Sequence, residues 1–248
     1  MTRVLVAGES WSVTSTHTKG FDSFTTVDYA EGGAALLSAL ERGGFDATYM
    51  PCHVASSQFP WTREELDAFD VVILSDIGAN TFLLPAATFI RGQRTANRLA
   101  ILRDWVREGG GLAMVGGYLS FQGIEGKANY RRTALAEVLP VELEIGDDRE
   151  EAPEGTHARL VGEHQITAGI DQPFPPLLGY QRLAPKPSAT VLAEFDSRAP
   201  LLVVEEVSAG RTLAYASDIG PHWAPTEFTD WPGFSLLWQQ ATAWLARG

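Results

Sequence analysis

The chain has 248 residues, 45% of them hydrophobic and 20% charged, which are the proportions of a folded globular protein and not of a disordered, fibrous or low-complexity one. Nineteen lysines and arginines against 31 aspartates and glutamates leave a formal net charge of −12, so nucleic acid meets long-range repulsion and is excluded as a partner. No apolar run approaches the roughly 20 residues that span a bilayer, no export signal opens the chain, and the single Cys52 cannot form an internal disulfide; a cytoplasmic protein with no membrane partner is expected.

At this length one large α/β domain spanning residues 1–248 is expected. Arg3–Ala7 is a β-rich apolar run that predicts the first strand, ending at Gly8-Glu9-Ser10-Trp11. From there to Phe24 the chain reads as a long polar loop carrying Trp11, His17, Lys19 and Asp22, and loops of that length are more often functional than idle. Gly32–Arg42 places Leu36, Leu37 and Leu40 at helical spacing before the stop Gly43-Gly44. Ala47–Met50 predicts a second strand, leading to Pro51-Cys52-His53. Thr62 and Glu65 form a capping box that opens a short helix, and Val71–Leu74 is the third strand, ending at Ser75-Asp76-Ile77-Gly78. From Gly78 to about Ala96 no period stands out, yet Phe82, Leu83, Leu84, Phe89 and Ile90 make the segment too apolar for a free loop. It reads as a lid or as an interface between copies of the chain, and a homo-oligomer is expected. Arg98–Glu108 is a helix with Leu99, Leu102, Trp105 and Val106 on one face.

Leu112–Val115, bounded by Gly109–Gly111 and by Gly116-Gly117, predicts a fully covered central strand ending in a sharp turn. After Gln122 come a polar turn, a short helix closed by Pro140, and an acidic stretch, Gly146–Gly155, that reads as an exposed excursion. Thr190–Phe195, Leu201–Glu206 and Arg211–Ser217 are strand-like, the last two forming a hairpin through Ser208-Ala209-Gly210, and Phe234–Ala246 is a closing helix. The alternation predicts a three-layer, mostly parallel α/β sheet with right-handed crossovers and an antiparallel C-terminal extension, the first strand lying mid-sheet near the Gly-rich strand. Open α/β sheets bind ligands at their carboxyl edge, so Glu9–Asp22, His53, Asp76–Asn80 and Tyr118–Gln122 are expected to line one crevice, and the turn after Ser217 should deliver His222 to it.

The turn Gly116–Gln122 resembles the nucleophile turn of class I glutamine amidotransferases, in which glycine, catalytic cysteine, glycine and glutamine alternate with variable residues. Here Gly116, Tyr118, Ser120 and Gln122 occupy those places. Together with His164–Ile170, Gly210–Asp218 and Pro221-His222-Trp223, this makes nearly the whole chain similar to the bacterial family named putative glutamine amidotransferases. The resemblance implies a flavodoxin-like, class I glutamine amidotransferase-like fold and says little about the reaction. Glutamine hydrolysis needs a thiolate, a histidine and a carboxylate that orients the histidine. Tyr118 replaces the thiol and Ala224 stands where the family's glutamate is expected; only His222 matches.

Two functional readings follow. In the first, an enzyme acts on a small polar molecule, a carbohydrate or an amide, with His222 or His17 as acid/base and Glu9 or Asp76 as its partner. Trp11, Lys19, Asn80, Tyr118, Ser120 and Trp223 would bind the ligand, the tryptophans offering an aromatic face to a sugar. In the second, the chain is a noncatalytic small-molecule-binding or scaffold protein that kept the fold. Cys52 beside His53 reads as a small buried hydrophobe rather than a displaced nucleophile. His17, His53 and His222 lack the short spacing of a zinc motif, so no metal site is expected, and the sequence names no cofactor.

Overall fold

In the computed structural model, which describes residues 1–246, the chain opens with β1 (Arg3–Gly8), whose Val4–Ala7 are fully buried. Where a loop was expected, a hairpin follows: β2 (Ser10–Lys19) and β3 (Asp22–Glu31) pair antiparallel from Ser10 opposite Glu31 to Lys19 opposite Asp22. The physical reason is that Val13, Thr14, Thr16 and Thr18 on one strand and Thr25, Thr26 and Val27 on the other suit a pleated ribbon. Gly20, at φ +67°, starts a two-residue turn between them.

The chain continues through α1 (Ala34–Arg42), β4 (Asp46–Met50), α2 (Cys52–Gln58), α3 (Arg63–Leu66) and β5 (Val71–Ser75). Thr62 caps α3 as expected, its hydroxyl accepting the Glu65 N–H at 3.2 Å. The segment without a period contains two short helices, α4 (Ala79–Leu83) and α5 (Ala86–Phe89), before α6 (Arg98–Arg107) and the buried β6 (Gly111–Val115). Instead of an α-helix before Pro140 there are three 3-10 turns, Ile124–Gly126, Tyr130–Arg132 and Ala134–Glu137. Then come β7 (Val141–Glu142), β8 (Arg149–Thr156), β9 (Ala158–Leu160), β10 (Leu177–Gln181), β11 (Ala184–Pro185), β12 (Thr190–Phe195), β13 (Pro200–Val207) and β14 (Gly210–Tyr215). Two helices, α7 (Thr226–Thr229) and α8 (Pro232–Leu245), close the described chain. The acidic stretch expected to be an exposed excursion is mostly strand, β8 pairing with β10.

Eight strands make one sheet in the order β4-β1-β5-β6-β14-β13-β12-β9. Pairing is parallel from β4 to β14 and antiparallel from β14 onward, which is the mostly parallel α/β architecture with an antiparallel C-terminal extension. One expectation is corrected: β1 is second from an edge, and β5 separates it from β6. β5 is buried at all five positions and fills a slot covered on both faces, whereas β4, with Asp46 and Thr48 exposed, takes the edge. Helices α1 and α8 pack on each other, and α2, α4 and α6 form the other group.

That second group is stitched by Arg98. Its buried guanidinium donates to the carbonyls of Ala55 (3.2 Å) and Ser56 (3.0 Å) in α2 and of Thr81 and Phe82 (both 2.9 Å) in α4, and lies 4.1 Å above the Trp61 ring. Carbonyls near the C-terminal ends of two short helices, not carboxylates, balance its charge. Burial lowers its pKa to about 10.

Candidate functional site at the carboxyl edge of the sheet

Two acidic residues leave the ends of neighbouring strands in the left-handed region, Glu9 after β1 at φ +48° and Asp76 after β5 at φ +42°. Non-glycine residues occupy that region at a cost, and such strain gathers at functional sites. The Glu9 N–H donates to the Ser75 carbonyl at 2.7 Å, and Ser75 Oγ donates to Glu9 Oε2 at 2.5 Å. Glu9 Oε1 is buried without a hydrogen-bond partner among the described residues. Burial, followed by the charges of Asp218 and Asp76, pushes the Glu9 carboxyl well above the usual carboxylate range. Asp76 is moved the same way, up to about 6, by burial first and Asp218 next, against a hydrogen bond from the Leu119 N–H at 2.5 Å.

The turn after β6 is built around Asp76. Gly117 takes φ +135°, and a Cβ there would lie 2.8 Å from that of Asp76. Ser120 Oγ accepts the Asp76 N–H at 3.1 Å, and the Gln181 side-chain amide both donates to and accepts from the Gly117 backbone. Asp148 accepts the next two N–H groups, Gln122 at 2.9 Å and Gly123 at 2.8 Å, and burial raises its pKa to about 6. Tyr118 is thus held at a tight, non-helical turn at the strand end.

His222 meets this turn from β14. Its Nδ1 lies 3.7 Å from Oδ2 of Asp218, an ion-pair distance rather than a hydrogen bond, and its ring sits 4.7 Å from Trp11 and 5.4 Å from Tyr118. Asp218 is fully buried; Oδ1 accepts the N–H groups of Ile219 (2.7 Å) and Gly220 (3.1 Å), and among the described residues Oδ2 is left to the histidine alone. Asp218 raises the His222 pKa. The outer wall is aromatic and charged: the Arg149 guanidinium lies 4.8 Å above Tyr118, Trp223 is 5.6 Å from Tyr118, and Trp223 Nε1 donates to Glu151 at 3.0 Å. Burial, then Glu151, raises the Tyr118 phenol, making it a weaker nucleophile still.

The structure brings Glu9, Trp11, Asp76, Tyr118, His222 and Trp223 together, with different parts from those the sequence suggested. His222 is partnered by Asp218, while Glu9 has no solvent exposure and binds Ser75. Ser120 and Trp223 are 2% and 1% exposed, so the first latches Asp76 and the second backs the wall instead of offering a face. His17 and Lys19 sit apart on the outer half of the hairpin, where His17 stacks on Phe24 and bonds Thr26; a register counted outward from Ser10 cannot keep them at the base. Asn80 is exposed in the first turn of α4, and no hydrogen bond or ring contact among the described residues ties it to His222. Asp218, Arg149 and Glu151 were missed. Asp218 had one sequence signal, its place four residues before His222, but Arg149 and Glu151 arrive through β8 pairing and had none. The Cys52 thiol donates to the Asp76 carbonyl at 3.7 Å, and burial raises its pKa, so it is a protonated neighbour of the site. Among the described residues no group of three or more histidines, cysteines and carboxylates is arranged to hold a metal ion.

Among solved structures, Cytoplasmic Protein STM3548 from Salmonella typhimurium is 45% identical with a TM-score of 0.95, over 99% of each chain. Cytoplasmic Protein STM1381 from Salmonella typhimurium LT2 is also 45% identical, with a TM-score of 0.94 over 98% of this chain and 99% of that one. A ThuA-like protein from Bacteroides uniformis shares the fold at 11% identity, with a TM-score of 0.58 over 98% of this chain and 91% of that one. No curated protein sequence matches. The family described as "Putative glutamine amidotransferase" matches residues 3–247, and with the amidotransferase-like turn and sheet in place the chain belongs to that family.

Proposed function

We propose that this protein is a cytoplasmic enzyme acting on a small polar molecule, a carbohydrate or an amide, by acid/base chemistry without a thiol nucleophile. The observation that carries the reading is His222, in contact with Oδ2 of buried Asp218, which has no other partner among the described residues, and flanked by Trp11 and Tyr118. A histidine oriented by a carboxylate takes or gives a proton in the transition state. Asp218 favours the imidazolium that forms when His222 accepts a proton. Asp76, pushed up to about 6, is a second group that changes charge just below neutrality. Trp11, Tyr118 and Arg149 supply an aromatic and cationic rim suited to a hydroxyl- or carbonyl-bearing ligand. The absence of a cysteine from the Gly116–Gln122 turn separates the reaction from glutamine hydrolysis.

The test is turnover of a panel of amides and glycosides by wild type and variants. His222→Ala is expected to lower kcat by about 100- to 10,000-fold, the range of one general acid/base group, with the fold intact and stability changed by no more than about 1 kcal/mol. Asp218→Asn should lower kcat and shift the pH profile to the acid side, since the histidine loses the charge that raises its pKa. A panel substrate turned over equally well by wild type and His222→Ala would overturn the assignment.

A further inference from the structure

Among the described residues, the hairpin formed by β2 and β3 has nothing to pack on along most of its length. Residues 12–29 are exposed, apart from the partly covered Ser15. Contacts to the body are made at the base, by Trp11 beside His222 and Tyr29 beside His53. Ten residues per strand carry the tip about 33 Å outward at ~3.3 Å per residue. A two-stranded ribbon alone in water is marginally stable, and this one presents Val13, Phe24 and Val27 to solvent and a fully exposed Phe21 at its tip. Phe21 is flanked by Asp22, and the arm also carries Asp28 and Glu31 against one base, Lys19.

A second surface is its complement. From Ile77 to Arg103 there is no acidic residue, in a chain with 31 of them. On this ledge Leu84, Phe89 and Ile90 are exposed, and a groove of about 440 Å³ is lined by Leu83, Thr88, Gln93, Arg94 and Asn97. Arg91 and Arg94 are exposed, and neither forms an ion pair among the described residues. Phe21 is fully exposed, so it does not occupy its own chain's groove.

We propose that the arm of one copy seats on the α4–α5 ledge of a second, Phe21 entering the groove beside Leu83 and Asp22 pairing with Arg94. An aromatic anchor in a pocket with a charged rim is the usual form of an interaction hot spot, and the opposite charges of arm and ledge select this pairing over arm against arm. Reciprocal exchange about a two-fold axis closes the assembly and leaves no arm free.

Sedimentation of the full chain over a range of concentrations tests this. Wild type is expected to be a dimer, and Phe21→Ser and Arg94→Glu should each weaken it at least about 30-fold, while circular dichroism shows an intact fold. Combining Arg94→Glu with Asp22→Arg should restore the dimer, which a merely destabilising substitution would not. A wild type that is monomeric at every concentration, or an assembly that both single variants leave unchanged, would overturn the proposal.

Discussion

Asp76 combines the strain and the charge conflict of the site, and both are measurable. Its folded pKa of about 6 lies above the ordinary 3.8, so between those values the folded chain holds a proton that the unfolded chain has released. The stability this supplies is complete below pH 3.8 and is lost as pH rises through 6, a change of about 3 kcal/mol at 1.36 kcal/mol per pKa unit. Asp148, also raised to about 6, acts in the same window, and the raised His222 has the same sign. Urea unfolding at pH 4 and pH 7.5 should therefore show wild type losing stability with rising pH. Asp76→Asn, which keeps an oxygen for the Leu119 N–H, should lose less, by up to about 3 kcal/mol. Equal slopes for the two proteins would refute the buried-carboxylate account. Arg98 poses the opposite case, a cation whose removal strands several buried carbonyls. Arg98→Leu should cost at least about 3 kcal/mol in the same experiment, at ~1–3 kcal/mol for each group left unpaired.

At the scale of elements, the strand β6 and its turn act as a unit with Asp76. Gly117→Ala adds a Cβ at φ +135° and 2.8 Å from the Asp76 Cβ, so it should displace Asp76 and Tyr118 together. We expect a loss of about 2 kcal/mol or more and a fall in turnover, read by thermal melting and the substrate panel; a variant with native melting and activity would show that the turn tolerates displacement. The hairpin is the contrasting element, joined to the body through Trp11 and Tyr29 at its base. Replacing residues 13–28 by a two-residue turn should leave a cooperatively folding chain whose melting temperature no longer depends on protein concentration, whereas that of wild type does. Its β-branched residues, Val13, Thr14, Thr16 and Thr18 before Gly20 and Thr25, Thr26 and Val27 after it, suit strands, yet the segment read as a loop. The polarity of the segment concealed the strands, because a ribbon exposed on both faces lacks the apolar side that marks an ordinary strand.

Across the whole molecule, the sheet order places the ends of β1, β5, β6 and β14 on one edge, and residues 9, 76, 118 and 222 meet there. None of them is a thiol; the single cysteine lies behind Asp76, with burial holding its proton on. Purified protein is accordingly expected to release no ammonia from glutamine, and alkylation or Cys52→Ser to leave its own activity intact. Glutaminase activity abolished by Cys52→Ser would contradict this.

Local signals in the sequence announced the covered strands and main helices of the sheet and the turn at its carboxyl edge, but not the β2–β3 hairpin, the 3-10 turns before Pro140 or β8. Apolar runs announced β1, β5 and β6, the last bounded by glycines on both sides, helical spacing announced α1 and α6, and the Gly116–Gln122 turn with Tyr118 in the cysteine's place announced both the family and the missing nucleophile. These are local signals, since a covered strand or a capped helix is written in ten or so consecutive residues. Only the tertiary structure decided which polar groups face one another. The pairing of His222 with Asp218, rather than Glu9 or Asp76, depends on how the chain turns after β14. The approach of Trp11 to His222 spans more than 200 residues, and Arg149 reaches Tyr118 only because β8 pairs with β10. Burial likewise separates Glu9, Ser120 and Trp223, which are enclosed, from His17 and Lys19, which stand in solvent on the arm. Whether a polar side chain is a support or a reactive group depends on packing around it, and packing is set by strand order and register, which no short stretch of sequence encodes.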